Sequence, residues 1–252
     1  MTVELKGKTI IITGASSGIG AAAALLFAAR GANVVLAARR EAELKTIVGQ
    51  IIQSSGNAIY LAGDVREETF AKDLVDLAED EFGGVDGAFN NAGTTGDMGP
   101  IPDMDGGNWH DVIAINLNSA FYAAKYQVPA MRRRGSGAIV FTSSFVGHTI
   151  GLPGMGAYAA AKAGLIGLTQ VLAVENGAEK IRVNALLPGG TMTPMAGDDA
   201  NLHEVVRGFH ALKRMAEPSE IAQAALFLLS DQASFVTGSA MIVDGGNSVN
   251  KL

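Results

Sequence analysis

The chain has 252 residues, of which 48% are apolar and 17% charged, and its 32 glycines are nearly twice the roughly 7% average usage. That composition excludes a disordered tail or a coiled coil, and a formal charge of −6 disfavours a nucleic-acid partner, whose phosphates would be repelled. Cysteine is absent, which removes disulfides, thiolate metal sites and cysteine nucleophiles, and the four histidines show no metal-ligand spacing, so no metal is expected.

The amino terminus carries Glu4, Lys6 and Lys8 ahead of a short β-branched run, unlike a signal peptide or a membrane span, and the expected location is cytoplasmic. Seven short runs predict strands at 9–13, 33–38, 58–62, 87–91, 138–143, 182–187 and 240–244. Most are apolar without alternation, as strands covered on both faces must be, and parallel neighbours need long crossovers. The alanine- and leucine-rich segment 19–30, ending at Gly31, supplies the first of these as a helix. The alternation predicts an α/β fold: one doubly wound parallel sheet with helices on both faces, a single domain over 1–252.

Between the first strand and helix stands Thr13-Gly14-Ala15-Ser16-Ser17-Gly18-Ile19-Gly20. Glycines there let the backbone turn tightly and approach a pyrophosphate, which then meets the positive end of the helix. The spacing is Gly-x-x-x-Gly-x-Gly, without the lysine of a nucleoside-triphosphate loop, and a glycine turn with no ligand stays open on the motif alone. The second strand ends Ala37-Ala38-Arg39-Arg40, with no acid before Glu41. A carboxylate at that place would select NAD and an arginine the 2′-phosphate of NADP, so Arg39 favours NADP(H) over NAD(H). The alternative is that both arginines are a solvated helix start. Asp64, after the third strand, either accepts from an adenine amino group or caps the next helix through a capping box with Glu67.

Two connections break the rhythm, 94–108 and 192–208. Both are rich in Gly, Pro and Asp and both follow strands, on the side where such sheets bind ligands. The second predicts a lid spanning 192–214. The run Arg132 to Arg134 before Gly135 reads as the solvated end of a helix. Tyr158 and Lys162 stand four residues apart, on one helix face, where a nearby positive charge would favour the phenolate. A pair of this kind is weak evidence by itself.

In context, the chain resembles the classical short-chain dehydrogenase/reductase family from Lys8 to about Ser248. The matching pieces are TGASSGIG at 13–20, Asp64-Val65, NNAG at 90–93, Asn116, Ser144, YAAAK at 158–162, LLPGGTMTPM from Leu186, and MIVDGG. The resemblance implies a Rossmann-type sheet of seven strands and a catalytic tetrad of Asn116, Ser144, Tyr158 and Lys162. It implies an oxidoreductase interconverting a ketone and a secondary alcohol, with hydride exchanged at the nicotinamide and Tyr158 as general acid and base. Ser144 would bind the substrate oxygen, Lys162 would depress the tyrosine pKa and bind ribose, and Asn116 would hold a relay water. Ser144, followed by two residues and a glycine, aligns better than Ser143.

Cofactor contacts implied by the two readings together are Gly14, Ser16, Ser17, Gly18, Ile19, Gly20, Arg39, Arg40, Asp64, Val65, Asn90, Ala92, Gly93, Tyr158, Lys162, Pro188, Gly189, Thr191 and Thr193. Relatives usually carry a bulky residue at 190 and an aliphatic one at 191. Gly190 and Thr191 here predict a more open wall near the nicotinamide carboxamide. Substrate contacts are expected from Ser144, His148, Leu152, Met155, Tyr158 and Met195, with Ile150, Pro153, Met192 and Phe209 nearby, a lining suited to a small apolar carbonyl or alcohol. His148 reads equally well as solvent-facing. The family resemblance also implies a homotetramer, with no membrane partner. Alternatives in other classes are an NAD-dependent alcohol dehydrogenase of the same family, a non-catalytic dinucleotide sensor, and a lyase or epimerase, the last disfavoured by the short chain.

Overall fold

The computed structural model describes residues 4–250. Its strands are β1 (Thr9–Thr13), β2 (Asn33–Ala38), β3 (Asn57–Ala62), β4 (Gly87–Asn90), β5 (Gly137–Thr142), β6 (Ile181–Pro188) and β7 (Ala240–Val243). They form one sheet in the order β3-β2-β1-β4-β5-β6-β7, with every pairing parallel. The α/β doubly wound Rossmann-type prediction is therefore the observed fold.

Each strand feeds two cores because successive side chains point to opposite faces. Ile10, Ile12, Val34 and Leu36 pack on one face against α1 (Gly18–Ala29), α2 (Glu41–Gln53) and α8 (Pro218–Leu229). Ile11, Val35 and Ala37 pack on the other against α3 (Glu68–Phe82), α5 (Ser119–Arg134) and α6 (Gly156–Asn176). This double burial is why the strands read as unbroken apolar runs. Phe27 of α1 meets Phe89 of β4 with ring centroids 6.2 Å apart, and both rings are fully buried, each contributing roughly 2 kcal/mol through burial.

Helix α6 is long and apolar enough to cross a membrane by length and composition, and here it buries Leu165, Thr169 and Ala173 in the core. The arginines expected as a solvated helix end are all ion-paired: Arg132 with Glu179, Arg133 with Glu79 at 2.6 Å and Arg134 with Asp86 at 3.1 Å. They clasp the end of α5 to neighbouring elements.

Between α4 (Gly106–Ile113) and α5 the helix widens into a π turn, Ala114–Asn118. The second long connection holds α7 (Ala200–Phe209), a helix not foreseen within the lid and capped by Asp199, whose carboxylate accepts from Asn201 N at 2.9 Å and Leu202 N at 3.3 Å. The sheet order reverses between β1 and β4, so the loops leaving their carboxyl ends diverge and open a cleft.

Candidate active site

The glycine turn after β1 begins with Gly14 at φ +67° and opens α1 with Gly18 at φ +53°, conformations that L side chains rarely adopt. A Cβ at Gly14 would lie 2.9 Å from Ala92 Cα, and one at Gly20 2.2 Å from the Gly14 carbonyl oxygen, so the turn is packed tightly under the helix start. Ser17 precedes α1 without a side-chain cap bond, and no acid stands in the first turn. The N–H groups there are thus left for an anion. Ser16, Ser17 and Ile19 are part-exposed around this mouth.

Arg40, and not Arg39, reaches that loop: its Nη2 donates to Ser16 Oγ at 3.0 Å and Ser17 Oγ at 2.8 Å. Both arginines are exposed. Asp64 does not cap α3. Its carboxylate accepts from Arg66, from the guanidinium at 2.8 Å and from the backbone N–H at 3.0 Å, while α3 starts at Glu68 with Glu67 as its flanking residue. The expected capping box is corrected, because those oxygens are already engaged. Arg66 hydrogen bonding holds the Asp64 carboxyl below its ordinary pKa, with Arg39 adding to the effect. Arg66 also reaches Asp111 at 3.0 Å, and Val65 beside it is half-buried.

Asn90, expected at the cofactor, gives its carboxamide to Gln127 in a buried reciprocal pair at 2.9 and 3.0 Å. Its side chain is therefore spent behind the loop, which leaves only its backbone for the cleft. Thr13 Oγ1 accepts from Asn91 N and Ala92 N at 3.0 and 3.1 Å, tying the NNAG loop to the end of β1.

Asn116 occupies the π turn, where its Nδ2 donates to Thr94 O and Val112 O, each at 2.8 Å, and its Oδ1 accepts from Thr94 N at 3.2 Å. Such turns concentrate at functional positions. Thr94 was not foreseen, and no sequence pattern marks it. A Cβ at Gly93 would lie 2.8 Å from Asn116 Oδ1 and 3.3 Å from Lys162 Nζ, so glycine is what lets those two groups share one corner. Behind it lies a cavity of about 20 Å³, lined in part by Asn90, Asn116, Ser119 and Gln127, room for about one water.

The adjacent serines after β5 face different ways. Ser143 Oγ donates to Lys162 O at 2.7 Å and is buried under α6. Ser144 Oγ accepts from Val146 N at 3.1 Å, which leaves its own proton free, and its hydroxyl lies near enough to Tyr158 to draw the pKa of the phenol downward. Lys162 is buried, donates to Thr142 O at 2.6 Å and stands 5.5 Å from the centre of the Tyr158 ring. The resemblance implies a depressed tyrosine pKa, but burial pushes the phenol up and the Ser144 hydrogen bond draws it part of the way back. Burial also pushes the lysine down to about 7, so its ammonium is itself poorly held. The physical reason is that both groups are desolvated together. With burial the largest influence, the Tyr158 phenol keeps its proton at neutral pH.

Of the residues expected at the substrate, Leu152 and Met155 are half-buried, whereas His148, Met192, Met195 and Phe209 are exposed. The wall at Gly190 is not open as expected. A Cβ there would lie 2.5 Å from Val206 Cγ1 and 2.9 Å from His210 Cε1, because α7 and its following histidine fill the space. Thr191 is buried with its hydroxyl on Gly189 O at 3.0 Å, and Thr193 packs where a Gly18 Cβ would stand, 3.0 Å away. Pro188 ends β6. The uncapped α1 start, the glycine cradle and the arginines fit a dinucleotide phosphate.

A family model described as "Enoyl-(Acyl carrier protein) reductase" matches residues 14–248. The chain is 43% identical over 248 residues to a 2,5-dichloro-2,5-cyclohexadiene-1,4-diol dehydrogenase of Sphingobium indicum, covering 96% of this chain and 98% of that protein. It is 39% identical to a cyclohexanol dehydrogenase of an Acinetobacter species, covering 97% and 96%. A crystal structure of a short-chain type dehydrogenase/reductase from Mycobacterium marinum superposes with a TM-score of 0.94 at 33% identity over 98% of both chains. With the seven-stranded parallel fold and these whole-length matches agreeing, the chain belongs to the short-chain dehydrogenase/reductase family and is an enzyme of that family, an oxidoreductase acting on alcohols or ketones with a nicotinamide dinucleotide.

Proposed function

We propose that the enzyme is NADP(H)-dependent and interconverts a small apolar cyclic ketone and its secondary alcohol. The observation that carries this reading is the Tyr158 ring with buried Lys162 Nζ 5.5 Å from its centre, the lysine held on Thr142 O at the end of the strand that leads to Ser144. Relatives whose names specify cyclic alcohols support a ring substrate, as does the mostly apolar rim of Leu152, Met155, Met192, Met195 and Phe209. Ala38 at the end of β2, followed by two arginines and no acid, supports NADP over NAD.

The dinucleotide supplies hydride exchange at its nicotinamide ring. Ser144 Oγ and Tyr158 Oη converge on the substrate oxygen, and Ser144 stabilises charge developing there. Tyr158 gives that oxygen a proton in reduction and takes it back in oxidation. Lys162, fixed to Thr142 O, would hold the cofactor ribose with its remaining N–H groups. A proton retained on Lys162 would offset part of the burial that raises the phenol, which matters most for the oxidative direction. Asn116 links the NNAG loop to α4 and α5 and marks the exit path for the proton.

A homotetramer in the cytoplasm completes the reading. Its support is the apolar surface left on α5 and α6, where Phe121, Val171 and Val174 are exposed.

A panel of ketones and alcohols with both cofactors tests the proposal. Turnover of alicyclic ketones is expected with NADPH ahead of NADH, and Tyr158→Phe is expected to lower kcat about 10³-fold while NADPH still binds. Arg39→Asp and Arg40→Asp, made singly, are each expected to move preference toward NADH, since each removes a cation and adds a carboxylate that repels a 2′-phosphate. NADPH binding with no turnover on any ketone or alcohol would favour a dinucleotide sensor.

A further inference from the structure

His210 follows α7 and is 2% exposed, yet it belongs to none of the motifs that define the site. Its Nδ1 lies 2.7 Å from Val206 O, and its Nε2 lies 3.0 Å from the Gly190 backbone nitrogen. Only one form of the ring serves both partners: Nδ1–H donates to the carbonyl of α7, and the Nε2 lone pair accepts from the Gly190 N–H. Glycines surround the ring on three sides. A Cβ at Gly189 would lie 2.9 Å from Nε2, one at Gly190 2.9 Å from Cε1, and one at Gly245 3.3 Å from Cδ2.

The segment it grips is not an ordinary loop. Gly190 O accepts from Ala216 N at 2.8 Å, Thr191 is buried, and Thr193 lies against Gly18 at the start of α1. One imidazole therefore connects the lid helix to the chain that runs to the phosphate-cradling turn. The glycine pair and the histidine make complementary halves of one packing unit, since any side chain at 190 would collide with the ring.

We propose that His210 is a positioning residue that locks α7 to the Gly189–Thr191 segment, so that ordering of the lid and setting of the nicotinamide-side wall occur as one event. The inference rests on the reading of the site as a dinucleotide-dependent carbonyl reductase, and it acts through the backbone of Gly190, not through contact with substrate. His210→Leu keeps most of the volume and removes both hydrogen bonds. His210→Gln keeps a donor for Val206 O and an acceptor for Gly190 N.

The test is hydrogen exchange by mass spectrometry on the whole protein, with NADPH affinity by fluorescence and with kcat and KM for the ketone measured alongside. His210→Leu is expected to speed exchange in residues 189–192 and 200–209 together and to weaken NADPH about tenfold, the effect of losing the buried Gly190 N–H bond that sets the nicotinamide-side wall. His210→Gln is expected to restore both within about threefold. In the unaltered protein, NADPH is expected to protect both segments in parallel. Should the leucine variant fail to fold, that parallel protection and the ring nitrogen shifts of His210, which report which nitrogen carries the proton, decide the matter. Loosening of 200–209 with 189–192 unchanged, or a doubly protonated ring at neutral pH, would overturn the proposal. Absence of turnover on every substrate, with the two segments still moving together, would instead overturn the functional reading and leave the coupling intact.

Discussion

Burying a lysine on a single backbone acceptor, with no carboxylate paired to it among the described residues, is costly, and Lys162 is placed in this way. Burial pushes its ammonium down to about 7 in the folded chain, against about 10.4 when unfolded. Between those values the unfolded chain holds a proton that the folded chain has released, so stability rises with pH across that window and is lowest below it. Lys162→Met is therefore expected to be inactive yet more stable at pH 6, by roughly 2 kcal/mol after loss of the Thr142 bond, with the advantage vanishing toward pH 10. Urea unfolding at the two pH values checks this, and equal stability at pH 6 would mean the charge is not desolvated. At this scale the sequence reveals residue types better than orientations. The glycine turn, Tyr158 and Lys162 are legible because their spacing carries the chemistry. The opposite facing of Ser143 and Ser144, the reach of Arg40 past Arg39 and the capture of Asn90 by Gln127 depend on contacts across 19 to 37 positions of chain, which spacing cannot encode.

Among the elements, α7 is the least secured by its surroundings. Leu202, Val205 and Phe209 are exposed on it, while His203, bonded to Gly197 O at 3.0 Å, and the Asp199 cap hold its beginning. Asp199→Ala is expected to cost about 1 kcal/mol locally, speeding amide exchange in residues 200–209 about fivefold and leaving the sheet amides unchanged. A uniform change across the molecule would show that the lid unfolds only with the whole. The seven strands were readable within a residue or so at each end because both faces of the sheet impose the same apolar demand. The helix at 200–209 was not readable, since this connection keeps most of its apolar residues on the surface and its Gly, Pro and Asp content resembles an irregular segment.

For the molecule as a whole, the parallel sheet follows from alternating strand and helix signals, because right-handed crossovers leave few other arrangements. What the chain's own folding leaves unfinished is the apolar surface on α5 and α6, where Val174 is 85% exposed and Phe121 53%. Sedimentation velocity at micromolar concentration is expected to give a homotetramer, and Val171→Glu with Val174→Glu is expected to shift it to smaller species without unfolding the subunit. A monomer in the unaltered protein would remove the assembly from the proposal. The sequence suggested this surface only through its family resemblance, since a partly apolar helix reads the same whether it faces a core or another copy.

The side chains proposed to react are tethered mainly to main-chain atoms: Lys162 to Thr142 O, Asn116 to Thr94 and Val112, and Ser144 to Val146 N. Side-chain identities around the rim contribute nothing to those tethers. Evolution, or an engineer, can accordingly swap the lining wholesale to admit new ring sizes or substituents while the proton-handling apparatus stays in register.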